Sequence, residues 1–289
     1  MPIHLPARTS RRHFLGQLGA AFAVWSQSPA AEVDGDLVAI LNDTHIGAQQ
    51  KADSPVRQNL AATVEHLIRL PRRPAAVIIN GDLALKDGQP GAYELFAEHI
   101  VHRTMSNHDD RDVFYRVLAN EKADAPPVDS RHIGVVQLAR VNLILLDSLK
   151  ATMTTQGLIG AEQLAWLAKI LDAHAGKPAW IVVHHNPRLG GDPLHFPGGL
   201  EDSEPLWQVL AGRPQAKAYL HGHIHHRNFF SHQGIHILNT PATSYVGDKT
   251  VSTTGWTMAR VNDAGAVFTT HTHLPDHPWN GLVQELAWR

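Results

Sequence analysis

The sequence predicts an α/β fold in a single domain over residues 35–275, and three observations carry that prediction. Short apolar runs alternate with segments of helical period. The runs, among them LVAILN (37–42), AAVIIN (75–80) and AWIVV (179–183), are apolar almost throughout. That is the signature of parallel strands covered on both faces rather than of strands with one wet side. No Pro/Gly/Ser-rich linker divides the chain beyond residue 35.

In chain order, LVAILN is the first strand and SPVRQNLAATVEHLIRL (54–70) an amphipathic helix. AAVIIN is the second strand, and QPGAYELFAEHI (89–100) opens with helix-start chemistry around Pro90. VNLILLD (141–147) is a strand, GAEQLAWLAKILDAH (160–174) a helix with a core-facing aliphatic stripe, and AWIVVHH (179–185) a strand. A helix near EDSEPLWQVLAG (201–212) and the strand AKAYLHG (216–222) follow. DSLKATMTTQG (147–157) and NPRLGGDPLHFPGGL (186–200) read as loops. The last third shifts to short strands (RNFFSH, IHILNT, GWTMARV, GAVFTTHT), which suits antiparallel additions or a second sheet. Residues 276–289 are set apart as a C-terminal tail whose apolar residues can pack back or reach a neighbour, and the oligomeric state stays open.

Composition excludes several functions. Of 289 residues 43% are apolar, enough for a sizeable core and against disorder. The formal charge is −2, so no long-range attraction for a nucleic-acid polymer or an acidic membrane is expected. Twenty-one histidines stand in a chain with no cysteine. Any metal site must therefore use imidazole, carboxylate and amide, which suits iron, manganese or zinc and excludes thiolate sites.

Residues 1–31 have a character of their own. TSRRHFLGQLGAAFAVWSQSPAA pairs Arg11 with Arg12, continues into an apolar stretch from Phe14 to Trp25, and offers small residues at Ser28–Ala31. This resembles a twin-arginine signal peptide, and the resemblance implies handling by the twin-arginine export machinery and a periplasmic or extracellular destination. The apolar stretch is shorter than the roughly 20 residues of a membrane span, and no other run approaches that length.

The chemistry gathers where the apolar runs stop. LVAILN runs into Asp43-Thr44-His45, AAVIIN into Gly81-Asp82, and Ser106-Asn107-His108-Asp109 follows Ile100–Met105. AWIVV ends at His184-His185, and AKAYL at His221-Gly222-His223-Ile224-His225. The carboxyl edge of an open α/β sheet is where ligand crevices form. In extended chain residues i and i+2 point the same way, so Asp43 with His45, and His223 with His225, are expected to face one pocket. A carboxylate such as Asp82 has two oxygens and can bridge two cations, and Gly81 and Gly222 would let the chain turn sharply beside them. Each signal is weak alone; their ordered recurrence is not.

The order Asp-x-His, Gly-Asp, Asn-His-Asp, His, Gly-His-x-His, from Asp43 to His225, resembles the calcineurin-like metallophosphoesterase family, in particular its bacterial class III cyclic nucleotide phosphodiesterase-like branch. The resemblance implies two packed mixed β-sheets flanked by helices and a dinuclear metal centre. It places one metal on Asp43, His45 and His225 and the other on Asn107, His184 and His223, with Asp82 bridging. His108 would sit at the leaving group. The expected activity is hydrolysis of a small phosphodiester, a cyclic nucleotide or a glycerophosphodiester-like compound, by in-line attack of metal-bound hydroxide. A phosphomonoesterase or nucleotidase, or a non-catalytic metal-binding relative, stays as the alternative. Two positions depart from the family's habit: Ser106 replaces the usual glycine, and Leu85 stands where many members carry an Asp or Asn that orients the histidine.

Other residues divide by position. His185, His221 and His226 have the wrong parity for ligands and are expected to pack. Arg188 and His195 lie on the loop after His184 and either touch substrate or are solvated. Tyr245, in TPATSYVGD, either lines the pocket mouth or packs against its loop.

Overall fold

A computed structural model describes residues 32–94, 101–190 and 196–288. Residues 1–31, whose sequence resembles an export signal, therefore lie outside the described residues.

Two six-stranded sheets lie face to face. In the first, β1 (Val33–Asn42), β2 (Arg73–Asn80) and β3 (His102–Thr104) run parallel. On the other side of β1 come β10 (Gly255–Val261), β11 (Gly265–Thr272) and β12 (Val283–Ala287), all antiparallel. In the second sheet β5 (Asn142–Leu145), β6 (Ala179–Val182), β7 (Ala216–His221) and β9 (Ile235–Asn239) are parallel. β4 (Gly134–Gln137) and β8 (Asn228–His232) pair antiparallel at its two edges. The late short strands are thus shared out: three extend the first sheet and two the second.

Strand period explains why the runs are apolar throughout. In β1, Val38 and Ile40 enter the core between the sheets, with Ile78 of β2, Leu143 of β5, Trp180 and Val182 of β6 and Leu220 of β7. Their neighbours Ala39 and Leu41 point the other way, into a core beneath α1 (Pro55–Ile68), where Leu60, Val64 and Leu67 lie. Ile181 and Val183 do the same on the outer face of the second sheet, under α4 (Ala161–Ala173) and α5 (Ser203–Ala211). Each sheet is sandwiched, so no parallel strand has a wet face.

Some elements were invisible in the pattern. β4 is a four-residue, half-exposed edge strand without clear alternation. The helix α3 (Arg111–Val117) buries only Phe114. The helix starting at Pro90 is described as α2 (Pro90–Tyr93), and residues 95–100 lie outside the described residues. The C-terminal segment set apart as a tail carries β12, which buries Leu286 (3% exposed) between the sheets. Its half-exposed alternation, with a single fully buried residue, hides a strand from a search for continuous apolar runs. Among the described residues no helix is long and apolar enough to cross a membrane.

The role of β12 is testable. Leu286→Ala is expected to lower unfolding free energy by at least about 2 kcal/mol in urea titrations. An unchanged midpoint would mean that the segment does not hold the core closed.

Candidate metal centre

The parallel strands of both sheets deliver their carboxyl ends to one edge, where buried amides join the two layers. Asn80, the last residue of β2, donates from Nδ2 to the Val183 carbonyl across the inter-sheet gap (3.0 Å) and accepts from Thr104 (2.7 Å). Its own carbonyl takes the Nδ1 proton of His184 (2.8 Å), which turns His184 Nε2 inward as the nitrogen that a metal would use once its proton is displaced. Asn42, at the end of β1, reaches the second sheet in the same way, through the carbonyl and hydroxyl of Thr240.

Beyond these asparagines the chain leaves the sheets abruptly. Asp43, His45, Asp82, His223 and His225 all have positive φ, between 44° and 69°. The extended geometry expected for Asp43-Thr44-His45 and for His223-Ile224-His225 is therefore not what aims them; left-handed turns do, curling each side chain back over the strand ends. His223 and His225 accordingly enter different donor groups. Gly81 also has positive φ (69°), and a Cβ there would lie 2.5 Å from the His184 ring. Gly222 is needed for space: a Cβ would lie 2.6 Å from Asp43 Oδ2.

The result is two sets of donors with one member in common. Asp43, His45, Asp82 and His225 form one, and Asp82, His184 and His223 the other. Asp82 Oδ2 lies 3.6 Å from His45 Nε2 and 3.3 Å from His184 Nε2, so a single oxygen faces both sets. Asp43 Oδ1 lies 3.2 Å from His225 Nε2, and the Nε2 atoms of His45 and His225 are 3.1 Å apart. His223 uses Nε2 on the Gly198 carbonyl (3.1 Å), which leaves Nδ1 for the centre. Asn107 is buried between two residues bonded to the Asp82 side chain, Ser106 and His108, and its side-chain oxygen has no hydrogen-bond partner.

These residues fit the metal ions that the resemblance implies. Asp43 Oδ1, His184 Nε2 and Asn107 Oδ1 are buried without a hydrogen bond, an arrangement that is costly unless a cation satisfies them. Metal–nitrogen bonds of about 2.0–2.1 Å put neighbouring donors on one ion roughly 3.0–3.4 Å apart, and the donor spacings here run from 3.1 to 3.8 Å.

Electrostatics agree. Burial pulls His184 down, but Asp82 and Asp43 outweigh it and push it up to about 9. Burial lowers His45 to about 4 and His223 to about 3, so both are neutral donors at neutral pH. Burial raises Asp43 and Asp82, yet His225 and His184 respectively lead the groups that bring both below the usual carboxylate range.

His108 lies at the rim of the cluster, its ring edge-on to His45 at 5.0 Å. Its backbone N–H donates to Asp82 Oδ1 (3.1 Å) and its Nδ1 to the Lys86 carbonyl (3.1 Å). Where many relatives would orient this ring with the residue at position 85, here a main-chain carbonyl one residue later does so. Asp109 clamps the loops behind it. It accepts from the N–H groups of Ala84, Leu83 and Ser106 and from the Tyr93 hydroxyl, and burial, then Asp82, pushes it up to about 7.

The histidines set aside as packing residues are placed as packing residues. His185 is buried, held by Ser148 Oγ (2.7 Å) and the Thr155 carbonyl (3.1 Å), and its ring backs His223 at 4.4 Å. His221 is buried beside Asn239, and His226 packs edge-on to Trp279. Arg188 turns its guanidinium to the carbonyls of Leu200 (2.8 Å) and Glu201 (3.3 Å), closing the loop onto the start of α5. His195 lies outside the described residues. Tyr245 does stand at the mouth: 43% exposed, it meets His45 and His225 edge-on at 5.5 and 5.6 Å. Phe196, which the sequence reading did not single out, meets His223 at 5.4 Å. Its position in a Gly/Pro-rich loop gave no sign of this.

The chain is similar to known proteins in sequence and in fold. The sequence model of the calcineurin-like phosphoesterase family matches residues 37–227. The 3′,5′-cyclic adenosine monophosphate phosphodiesterase CpdA of Vibrio vulnificus is 28% identical over 212 residues, covering 70% of this chain and 74% of that protein. The glycerophosphodiester phosphodiesterase GpdQ of Enterobacter lignolyticus is 25% identical over 218 residues, covering 72% and 77%. Among solved structures, a dimetal phosphatase from Danio rerio superposes with a TM-score of 0.61 at 11% identity, over 88% of this chain and 99% of that one, which supports the fold alone.

A pH dependence follows for the metal-free protein. Below about 9 His184 carries a proton that a metal must displace, so affinity should rise with pH throughout the neutral range. Calorimetric titration with Mn²⁺ from pH 6.5 to 8.5 is expected to show tightening of up to about tenfold per pH unit from this group. A flat affinity across that range would remove His184 from the ligand set.

Proposed function

The chain belongs to the calcineurin-like phosphoesterase family, a family of metal-dependent phosphoester hydrolases, and from that premise we propose that it hydrolyses phosphodiesters, with cyclic nucleotides as the substrate class. The observation that carries the reading is the pair of donor sets sharing Asp82. Asp43, His45, Asp82 and His225 would hold one ion, and Asp82, Asn107, His184 and His223 the other. Two ions so held supply Lewis acidity toward the phosphoryl oxygens and acidify a bound water toward neutrality.

The chain's own residues do the rest. Asp82, fixed between the sets, holds the two halves of the site at one spacing. His184 and His223 are each anchored through their second nitrogen, on the carbonyls of Asn80 and Gly198, so neither ring turns when substrate arrives. His108, with Nδ1 on Lys86, presents Nε2 at the rim, where a proton it carries can pass to the departing oxygen. Tyr245 and Phe196 set two exposed aromatic rings against histidines of the two donor sets. Rings placed there favour a substrate with a flat apolar group, such as a nucleobase, over a small polyol ester. The relatives named above are phosphodiesterases for one kind and the other, cyclic adenosine monophosphate and a glycerophosphodiester.

Turnover by the Mn²⁺-loaded protein tests this. Cyclic AMP and bis-aryl phosphates are expected to outpace mono-aryl phosphates and 5′-nucleotides. His108→Gln should lower kcat by about 10²–10⁴-fold without metal loss. Faster turnover of monoesters than diesters would favour a nucleotidase. Metal uptake with no turnover of any ester would favour a non-catalytic relative.

We also propose export by the twin-arginine route, on the strength of Arg11-Arg12 and the apolar stretch after them. Replacing both arginines with lysine should strand the protein in the cytoplasm of its host, as read by fractionation. Undiminished export of that variant would count against the route.

A further inference from the structure

We propose that the Ser106 hydroxyl is a positioning group for the shared carboxylate, holding Asp82 so that one chosen oxygen faces both donor sets. The proposal rests on the dinuclear reading above and concerns how this chain builds such a site without the glycine usual before Asn-His-Asp.

Ser106 is fully buried and clasps Asp82 from two directions. The Asp82 backbone N–H donates to Ser106 Oγ (2.5 Å), and the hydroxyl donates in turn to Asp82 Oδ1. The same Oδ1 also accepts the His108 backbone N–H (3.1 Å). Oδ1 is thereby occupied by two protein donors, while Oδ2 stays 3.3 Å from His184 Nε2 and 3.6 Å from His45 Nε2. A carboxylate turns about its Cβ–Cγ bond in a broad, two-fold well, so these two donors on Oδ1 are what the protein sets against that rotation.

Ser106 is itself anchored. Its N–H donates to Asp109 Oδ2 (3.2 Å), and Asp109 accepts from the Tyr93 hydroxyl (3.2 Å) and the Ala84 N–H (3.2 Å). A continuous chain of hydrogen bonds therefore runs from α2 through Asp109 and Ser106 to Asp82. Glycine at 106 would leave the Asp82 N–H without this acceptor in dry surroundings and leave Oδ1 held by the His108 N–H alone, so that the carboxylate turns more readily toward one donor set at the other's expense. The backbone of Ser106 does not require glycine, since its φ is not positive. The side chain costs the loop nothing and adds the clasp.

The test uses metal-free full-length wild type, Ser106→Ala and Ser106→Gly, with Mn²⁺ alone as the probe. Calorimetry gives stoichiometry and affinity, electron paramagnetic resonance reports exchange coupling between bridged ions, and melting of the metal-free forms reports folding. Wild type should bind two ions and give a coupled spectrum. Both variants should keep the metal-free melting temperature within a few degrees, bind the weaker ion about 10–100-fold less tightly, and lose most of the coupling. The proposal is overturned if either folded variant keeps wild-type affinity and coupling, including the case in which only its melting temperature falls. A wild type that binds no more than one ion sinks the dinuclear reading itself, and the proposal with it.

Discussion

Asn80 is the point on which the site hangs. Dispersion and apolar burial are non-directional, so packing between the two sheets does not by itself orient the polar groups at their edge. Donor spacings within a few tenths of an ångström of a coordination sphere need directional bonds at the edge where the donors collect. Asn80 supplies them from a single buried side chain and its own carbonyl: Nδ2 donates to Val183, Oδ1 accepts from Thr104, and the carbonyl accepts from His184. It thus fixes β2 against β3, the first sheet against the second, and the tautomer of a metal-facing histidine. Asn42 repeats the arrangement one strand away. The pair explains why two otherwise apolar strands each close on asparagine.

Around that seam the backbone is strained, and the strain has a direction. Five of the seven expected ligands lie in the left-handed region, at a cost on the order of 1 kcal/mol each. Asp and His are among the non-glycine residues that tolerate it best. Beside these turns stand buried donors without hydrogen-bond partners, Asp43 Oδ1, Asn107 Oδ1 and His184 Nε2, and carboxylates among histidines. A stable fold does not collect such features at one edge unless a ligand offsets them; cations bound by these donors would do so through both charge and coordination. The core that carries the cost is the sandwiched pair of sheets, covered on each outer face by helices.

Much of this was legible because strand chemistry is local. Residues following LVAILN, AAVIIN, AWIVV and AKAYL are forced to the carboxyl edge once those runs are parallel, whatever the details of packing. The ligand types then follow from the sequence itself. The route by which the side chains converge was not legible: period-2 reasoning holds within a strand, whereas Asp43, His45, His223 and His225 lie just beyond one. The link from Tyr93 through Asp109 to the loop after Asp82 was also hidden, being a long-range pairing with no periodic trace. Phe196 and Tyr245 show the same limit, since nothing local separates an aromatic residue over a metal site from one packed on its own loop. β12 was missed for the opposite reason: an edge strand that buries one side chain lacks the continuous apolar signature of its neighbours.

The two departures from the family's habit, Leu85 and Ser106, turn out to be answered within the same few residues. Leu85 cannot orient a histidine, yet the Lys86 carbonyl beside it does, while Leu85 itself packs on Gly47. A carbonyl has no net charge, so it fixes the His108 ring without adding the field of a carboxylate. Ser106 adds a hydroxyl to the far side of the same loop and spends its one proton on Asp82. Both changes act on groups that flank His108, whose own N–H completes the hold on Asp82 Oδ1. The orientation of the shared carboxylate and that of the rim histidine are therefore coupled through a single peptide unit. A loop organised this way needs neither glycine at 106, where φ is not positive, nor an acid at 85, where the neighbouring Lys86 carbonyl holds the ring.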